Sequence, residues 1–439
     1  MKKIKIYLFA LLAVGLVSSC EQVLEQTPQT AVEDKITDAS TARAVLNGAY
    51  NGLQSANYMG TRYTLLPDLA GGNLRHSGTF SDFAAIANRS VLPTDNAGSV
   101  MWIQIYNSIQ RANLLIKFVP AINEAGFTET EKKQIIAEAR ALRAFHYFNL
   151  VRWWGGVPIV TQPTDKADAS LNVPRNTVAE VYKQINDDLD AASPDLLVTN
   201  AARITKNTAL AMKCRAALYN KDWASVNTLA DQIVATNRHS LMPKTTDVFN
   251  GGQGTAESIW ELQFEATNSN TLAFFLFSTQ LGGRNEMRPS PSLTALYSLV
   301  DNRRILTTSY DVQLKYFRVS TGTDRPVMFR LAEVLLNKAE ALAEQNKDAD
   351  ALVLLNRIRT RAGLTASPAT LVGQALKDEI FLQRRLELAL EGHYFFDLVR
   401  TGRAAQALTN WNSNQALLPI PDREMKANPA FAGQQNPGY

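Results

Sequence analysis

The sequence predicts a mostly α-helical protein, a tetratricopeptide-like superhelix of stacked helix hairpins with irregular loops and a few short strands. Three observations predict it. Apolar residues recur at helical spacing over long stretches, as in Trp102, Ile105, Ile109, Ala112 and Ile116. From Glu138 to Val160, Arg140, Arg143, His146, Asn149 and Arg152 recur at every third position and nearly everything between them is apolar, and a helix apolar on most sides is buried on most sides. Two helix pairs, 207–236 and 330–361, keep the small-large-small spacing of tetratricopeptide hairpins, with Ala339, Leu342 and Ala351 in the second and the more degenerate Cys214, Ala217 and Val226 in the first. Stacked hairpins bury one continuous core, so 439 residues fit into a single body.

The chain begins with Lys2, Lys3 and Lys5, an apolar run from Ile6 to Val17, and then Ser18, Ser19 and Cys20. That order reads as a secretory signal over residues 1–19, and the run is short for a permanent membrane helix. The cysteine in that place resembles a bacterial lipoprotein signal, in which Cys20 becomes the lipidated first residue; the bland alternative is a plain signal peptide that happens to contain a cysteine. Several acyl chains on one cysteine suffice for stable anchoring. With Cys20 lipidated, Cys214 is the one remaining thiol, so no intramolecular disulfide forms. Cys214 lies in a helical pattern that wants a small apolar residue, and reads as packing. Removing three lysines lowers the formal charge from +4 to +1, with 42 basic against 41 acidic residues. A nearly neutral mature chain offers no electrostatic footprint for nucleic acid.

Residues 20–35 are polar and read as a tether; the body follows over 36–439, with an N-terminal part of about 36–240 and a C-terminal part of about 241–439. Ala42, Val45, Ala49 and Leu53 mark a first helix behind a capping Asp38 or Ser40. From Gln54 to Gly98 the helical pattern fails, and a long irregular stretch inside a compact domain is usually functional or disordered. Thr128 and Glu131 form a capping box for the central helix, which Gly155, Gly156 and Pro158 stop. His146 and the arginines of this helix read as internal pairing partners, because an enclosed helix needs partners for its polar groups. A helix over about 177–191 carries Asp187, Asp188 and Asp190, read as a solvated face and not as a metal site. Glu257 to Glu265 alternates, with Trp260, Leu262 and Phe264 on one side, and reads as a half-buried strand. Phe274, Phe275 and Phe277 read as core or as an apolar patch, and Arg284, Asn285 and Glu286 follow a Gly-Gly turn and look exposed. A helix over 376–390 and another turn over 395–400 precede a tail rich in Pro and Asn that wraps over the body.

Several stretches fall together in one order: EARALRAFHYFNLVRWWGGVPIV, RLAEVLLNKAEAL, LNRIRTRAGL, RRLELALEGHYFFDLVRTG and LLPIPDREMKANP followed by QNPGY. Together they resemble the SusD/RagB family of Bacteroidetes outer-membrane lipoproteins over essentially the whole mature chain. Gln383 and Tyr394 depart from the acid and the basic residue that family members often carry there. The resemblance implies four tetratricopeptide-like hairpins and a ligand surface built from the segments between them. It also implies a surface-exposed, lipid-anchored lid on a SusC-like TonB-dependent transporter, which captures a glycan or peptide for nutrient uptake and polysaccharide utilisation. Such proteins bind and do not catalyse, and no cofactor or metal is expected. The residues agree: there is no Walker loop, GxSxG, HExxH or CxxC, and the four histidines, at 76, 146, 239 and 393, are scattered.

Sugars present apolar faces that stack on aromatic rings and hydroxyls that need amide or guanidinium partners. Tyr58, Tyr63, Asn73, Arg75, His76 and Phe80 offer that mixture, with Arg284, Asn285 and Glu286 as a second contribution. Five of the six tryptophans fall in framework elements, leaving Trp411 as a stacking residue and favouring a small or flat site, or a peptide site. Two other readings stand beside this one. A tetratricopeptide-like scaffold lipoprotein without a nutrient ligand would show disordered or poorly concave loops. A surface glycosidase would need two carboxylates facing each other at about 5 to 10 Å.

Overall fold

The protein is described by a computed structural model over residues 36–164, 172–200, 202–250, 254–308 and 315–439. The signal, the tether and Cys20 lie outside the described residues. Helix α1 (Ala39–Gln54) starts at Asp38, whose carboxylate accepts from the Thr41 amide at 2.8 Å while the Thr41 hydroxyl accepts from the Asp38 amide. The stretch expected to be irregular instead holds α2 (Arg62–Gly71), β1 (Leu74–His76) and α3 (Ser81–Asn88). Tyr63 through Gly71 are all buried. A helix buried on every side shows no apolar stripe, and Pro67 in its middle reads as a breaker.

Helix α4 (Asn96–Phe118) and α6 (Val178–Ala192) flank the central α5 (Glu129–Trp154), and α1 packs on both α4 and α5. The capping box of α5 is half made. Thr128 accepts from the Glu131 amide, but the Glu131 carboxylate turns to Arg43, at 2.6 and 2.9 Å. The polar residues of α5 pair internally, as its enclosure demands. Arg143 grips Asp188 with two bonds of 2.6 and 2.8 Å, His146 Nδ1 lies 3.0 Å from the Tyr58 hydroxyl, and Arg152 donates to Asn149 at 2.7 Å. Burial pushes His146 down to about 3, so the ring is neutral at ordinary pH. Asp188 is therefore not part of a solvated face. It is buried against α5 because Arg143 needs an anion there, while Asp187 and Asp190 pair with Lys183 and Lys213 at the surface.

The hairpins α7 (Lys206–Tyr219) with α8 (Trp223–Ala235), and α9 (Leu331–Glu344) with α10 (Asp348–Arg361), lie where the spacing put them. Helix α9 touches α7, α8, α10 and α11 (Gly373–Leu388), with α12 (Tyr394–Arg400) after it. Cys214 is fully buried and its thiol is pushed up to about 12, chiefly by burial, so it is packing and not a nucleophile. The expected alternating strand is shorter and wholly buried: β2 (Ser258–Glu261) pairs antiparallel with β4 (Val327–Arg330). Glu261 is buried because its carboxylate accepts from the Ser258 hydroxyl and the Gly254 amide.

At the end of β4, Arg330 donates to Glu257, Glu387 and Glu391 at 2.6 to 2.8 Å. Arg361 also reaches Glu257 and Glu387, and Lys315 reaches Glu391. Buried charges are tolerated when each is paired, and this cluster pairs them all. Burial raises Glu387, but the cations of Arg361, Arg330 and Arg303 outweigh it and hold the carboxyl well below its ordinary range. Gln383 takes the place of the acid with a neutral amide that accepts from Arg303 at 2.7 Å and donates to Glu379 at 2.9 Å. The tail wraps as expected. Trp154 donates its indole N–H to the Pro419 carbonyl, and the Asn436 amide donates to the Trp154 and Leu418 carbonyls. No helix among the described residues is long and apolar enough to cross a membrane.

Candidate ligand-binding surface

The two sequence segments singled out for ligand contact meet. Strand β1 pairs antiparallel with β3 (Met287–Pro289), with Leu74 opposite Pro289, Arg75 opposite Arg288 and His76 opposite Met287. The chain leaving β1 then folds over Glu286. The Ser77 amide donates to the Glu286 carbonyl at 2.9 Å, and the Glu286 carboxylate accepts from the amides of Thr79 and Phe80, at 2.9 and 3.0 Å. Successive backbone N–H groups around a bend make an anion cradle, and here a side chain of the protein fills it. Gly78 lies at the bend, where an added Cβ would overlap the carboxylate.

Arg284 Nε completes the knot at 3.0 Å, and His76 Nε2 lies 3.4 Å from the carboxylate. Burial raises Glu286, but these amides and Arg284 leave its carboxyl below the usual range. The same bond lays the Arg284 guanidinium over the Phe80 ring, 4.2 Å from its centroid. Beneath, Phe80, Phe83 and Phe275 meet at 5.3 to 5.7 Å, with Phe274 against Phe275. The result is a ring and a guanidinium in one layer, half open to solvent. Arg75 and Arg284 are exposed, and His76, Phe80 and Asn285 are half-buried.

Four of the expected residues are not at the surface. Tyr58, Tyr63, Asn73 and Glu286 are buried, each because its polar end has an internal partner. The Tyr58 hydroxyl accepts from Asn149 at 2.6 Å, and the Tyr63 hydroxyl donates to the Asn149 carbonyl at 2.8 Å. Asn73 donates to Asp68 and accepts from Arg385, both at 2.8 Å. Asn285 holds a left-handed turn at φ 58° and accepts from Arg288, so its side chain is half committed. Among the tryptophans, Trp411 packs on Phe395, while Trp223, read as framework, lines a groove at the hairpins. The position of Trp223 directly after the Asn-Lys-Asp turn was the available signal for it.

Two family models match this chain. One, described as "Starch-binding associating with outer membrane" (SusD-like), matches residues 23–218; the other, the SusD family, matches residues 312–415. Together they span more than half of the chain. The chain belongs to the SusD/RagB family. Among relatives it is 26% identical to SusD-like protein P38 of Formosa agariphila, with 100% of this chain and 99% of that one aligned. A Bacteroides vulgatus protein described as a candidate sugar-binding protein matches in structure with a TM-score of 0.80 at 25% identity, over 92% of this chain and 99% of the other. A SusD superfamily protein from Parabacteroides distasonis shares the fold with a TM-score of 0.81 at 22% identity, over 92% of this chain and 100% of the other. The mostly helical SusD fold accounts for the architecture that carries the β1–β3 platform.

Proposed function

We propose that this chain is a glycan-binding lipoprotein of the outer-membrane surface, anchored through Cys20, that captures an oligosaccharide and passes it to a SusC-like TonB-dependent transporter. The observation that carries the reading is the layer of Phe80 and Arg284 held by Glu286, with Arg75 on the adjoining strand. It offers an apolar face for a sugar ring and guanidinium donors for its hydroxyls. The description of the N-terminal family model as starch-binding and outer-membrane-associated supports the ligand class and the location. The transfer to a transporter rests on the family resemblance. Catalysis is not part of the reading, because the acid at the centre of the platform is buried and fully engaged.

The test is calorimetric titration of the full-length protein in detergent with maltooligosaccharides and β-glucan oligosaccharides, against the double variant Phe80→Ala, Arg284→Ala. In the protein that remains folded, affinity falls about tenfold or more, roughly 1.4 kcal/mol, and the melting temperature falls as well, because Phe80 packs on Phe83 and Phe275 and Arg284 pairs with the buried Glu286. Unchanged affinity for the oligosaccharides that bind moves the site elsewhere, and no binding by any of them turns the reading to the scaffold.

A further inference from the structure

A second concavity lies on the hairpin stack, on side chains the platform does not use. It is a groove of about 360 Å³ between the α7–α8 turn, helices α9 and α11, and the end of α12. Leu218, Ala343 and Ile380 give it apolar lining, and the half-buried rings of Trp223 and Phe381 also line it. The Arg403 guanidinium lies over Phe381, 4.6 Å from the ring centroid.

The charges at this groove do not cancel. Glu340 is gripped by both terminal nitrogens of Arg400, Glu344 by Lys377 at 2.9 Å, and Asp378 by Arg403. Lys221 is exposed, and among the described residues no carboxylate pairs with it. Arg400 is held by Asp397 as well as by Glu340, so Lys221 is the groove cation without an ion-pair partner among the described residues, beside aromatic walls.

The backbone of Lys221 is also unusual. It sits at φ 57°, in the left-handed region that residues with a side chain rarely adopt. The tripeptide Asn-Lys-Asp turns both hairpins, at 220–222 and at 346–348. In the second, Asn346 takes the left-handed position, at φ 58°, as asparagine readily does. In the first the turn is displaced by one residue. Asn220 stays at φ −84°, Lys221 takes the left-handed position, and Asp222 caps α8 by accepting from the Ser225 amide. The displacement brings the lysine to the groove that Trp223 lines. The left-handed residue closes helix α7, with the Asp222 amide donating to the Ala217 carbonyl at 2.9 Å, and this closure sets Lys221 at the rim of the groove.

We propose that this groove binds an acidic sugar unit, a saccharide of one or two rings bearing a carboxylate or a sulfate, with Lys221 meeting the anion and Trp223 the ring face. Its volume suits a small saccharide, and every wall is helix or helix turn. A peptide that binds by adding a strand would need a free backbone edge, which helices do not offer, and the other peptide modes are tested by the glutamate-rich hexapeptide below. The sugar class rests on the glycan reading above; the location and the charge do not.

The experiment titrates the full-length protein in detergent with a glucuronate-containing disaccharide, a monosulfated disaccharide, cellobiose and a glutamate-rich hexapeptide. The acidic disaccharide that fits binds about tenfold tighter than cellobiose, and which of the two does so separates carboxylate from sulfate. In Lys221→Asn this preference disappears while the melting temperature does not fall, because asparagine tolerates the left-handed turn. Trp223→Ala weakens binding of acidic and neutral sugar alike, and the Phe80→Ala, Arg284→Ala variant keeps the preference. Retention of the preference in Lys221→Asn overturns the inference, as does a hexapeptide that binds more tightly than either acidic disaccharide. Loss of acidic-sugar binding only in the platform variant overturns it and leaves the glycan reading standing, whereas no saccharide binding anywhere removes both.

Discussion

Tyr58 to Asn73 and Arg75 to Phe80 are neighbouring stretches with the same kinds of side chain, aromatic rings beside amides and cations, yet the first is interior and the second is surface. In the first, each polar end finds a partner inside the fold: the Tyr58 and Tyr63 hydroxyls at Asn149, and the Asn73 amide between Asp68 and Arg385. In the second, the Thr79 and Phe80 amides are met by the Glu286 carboxylate, and Arg75 is left facing solvent. Residue type therefore does not assign a side chain to a ligand. Whether the fold already satisfies its polar atoms does.

The sharpest way to break that contrast is Tyr63→Ala. The ring is buried against Tyr58, Trp153 and Phe396, with centroids at 5.6 to 6.3 Å. Truncating a buried aromatic costs about 3 to 5 kcal/mol, read as the loss of unfolding free energy in urea. Oligosaccharide affinity of the protein that remains folded stays at the wild-type value. A fall in affinity without a fall in stability would return Tyr63 to the ligand and erase the contrast.

Asp68 sharpens it from the interior side. Its carboxylate accepts from the amides of Leu390 and Gly392 and from Asn73, yet burial outweighs these bonds and lifts the carboxyl to about 6 from 3.8. An acid whose folded value is raised holds its proton longer in the folded state. Its contribution is favourable below the unfolded value near 4 and is lost as pH rises through about 6, a change of about 3 kcal/mol at 1.36 kcal/mol for each pKa unit. Glu387 works in the opposite sense, favouring the fold above its ordinary value and losing that contribution as pH falls. The Asp68 effect is therefore read as a difference. Between pH 4 and 6 the wild type loses stability relative to Asp68→Asn, whose side chain does not titrate; parallel curves would show that Asp68 is already ionised in that range.

Much of this arrangement was legible in the sequence, and the exceptions share a cause. Helix α5, both hairpins and the wrapping tail rest on short-range signals: spacing, caps and breakers. The buried helix α2 has no stripe to read because it has no solvent side. Asp188 and Glu286 look like surface acids because their partners are far along the chain. Arg143 lies 45 residues from Asp188, and the amides that hold Glu286 lie more than 200 residues away. The platform was half legible: the two segments were both picked out, but the sequence carries no sign that β1 and β3 pair and put one across the other.

Gly78→Ala gives the smallest effect and joins the two sides of the contrast. The added methyl meets the Glu286 carboxylate, which is buried and held by two amides and Arg284, so it has little room to retreat. Overpacking of this kind costs about 1 to 3 kcal/mol. The consequence for binding is more telling than the loss of stability. If Glu286 is what lays Arg284 over Phe80, displacing the carboxylate releases the guanidinium, and oligosaccharide affinity falls even though Gly78 itself contributes no side chain to a ligand. An alanine at 78 that lowers the melting temperature and leaves affinity untouched would mean that Arg284 finds its place on Phe80 without the knot, by the attraction between cation and ring alone.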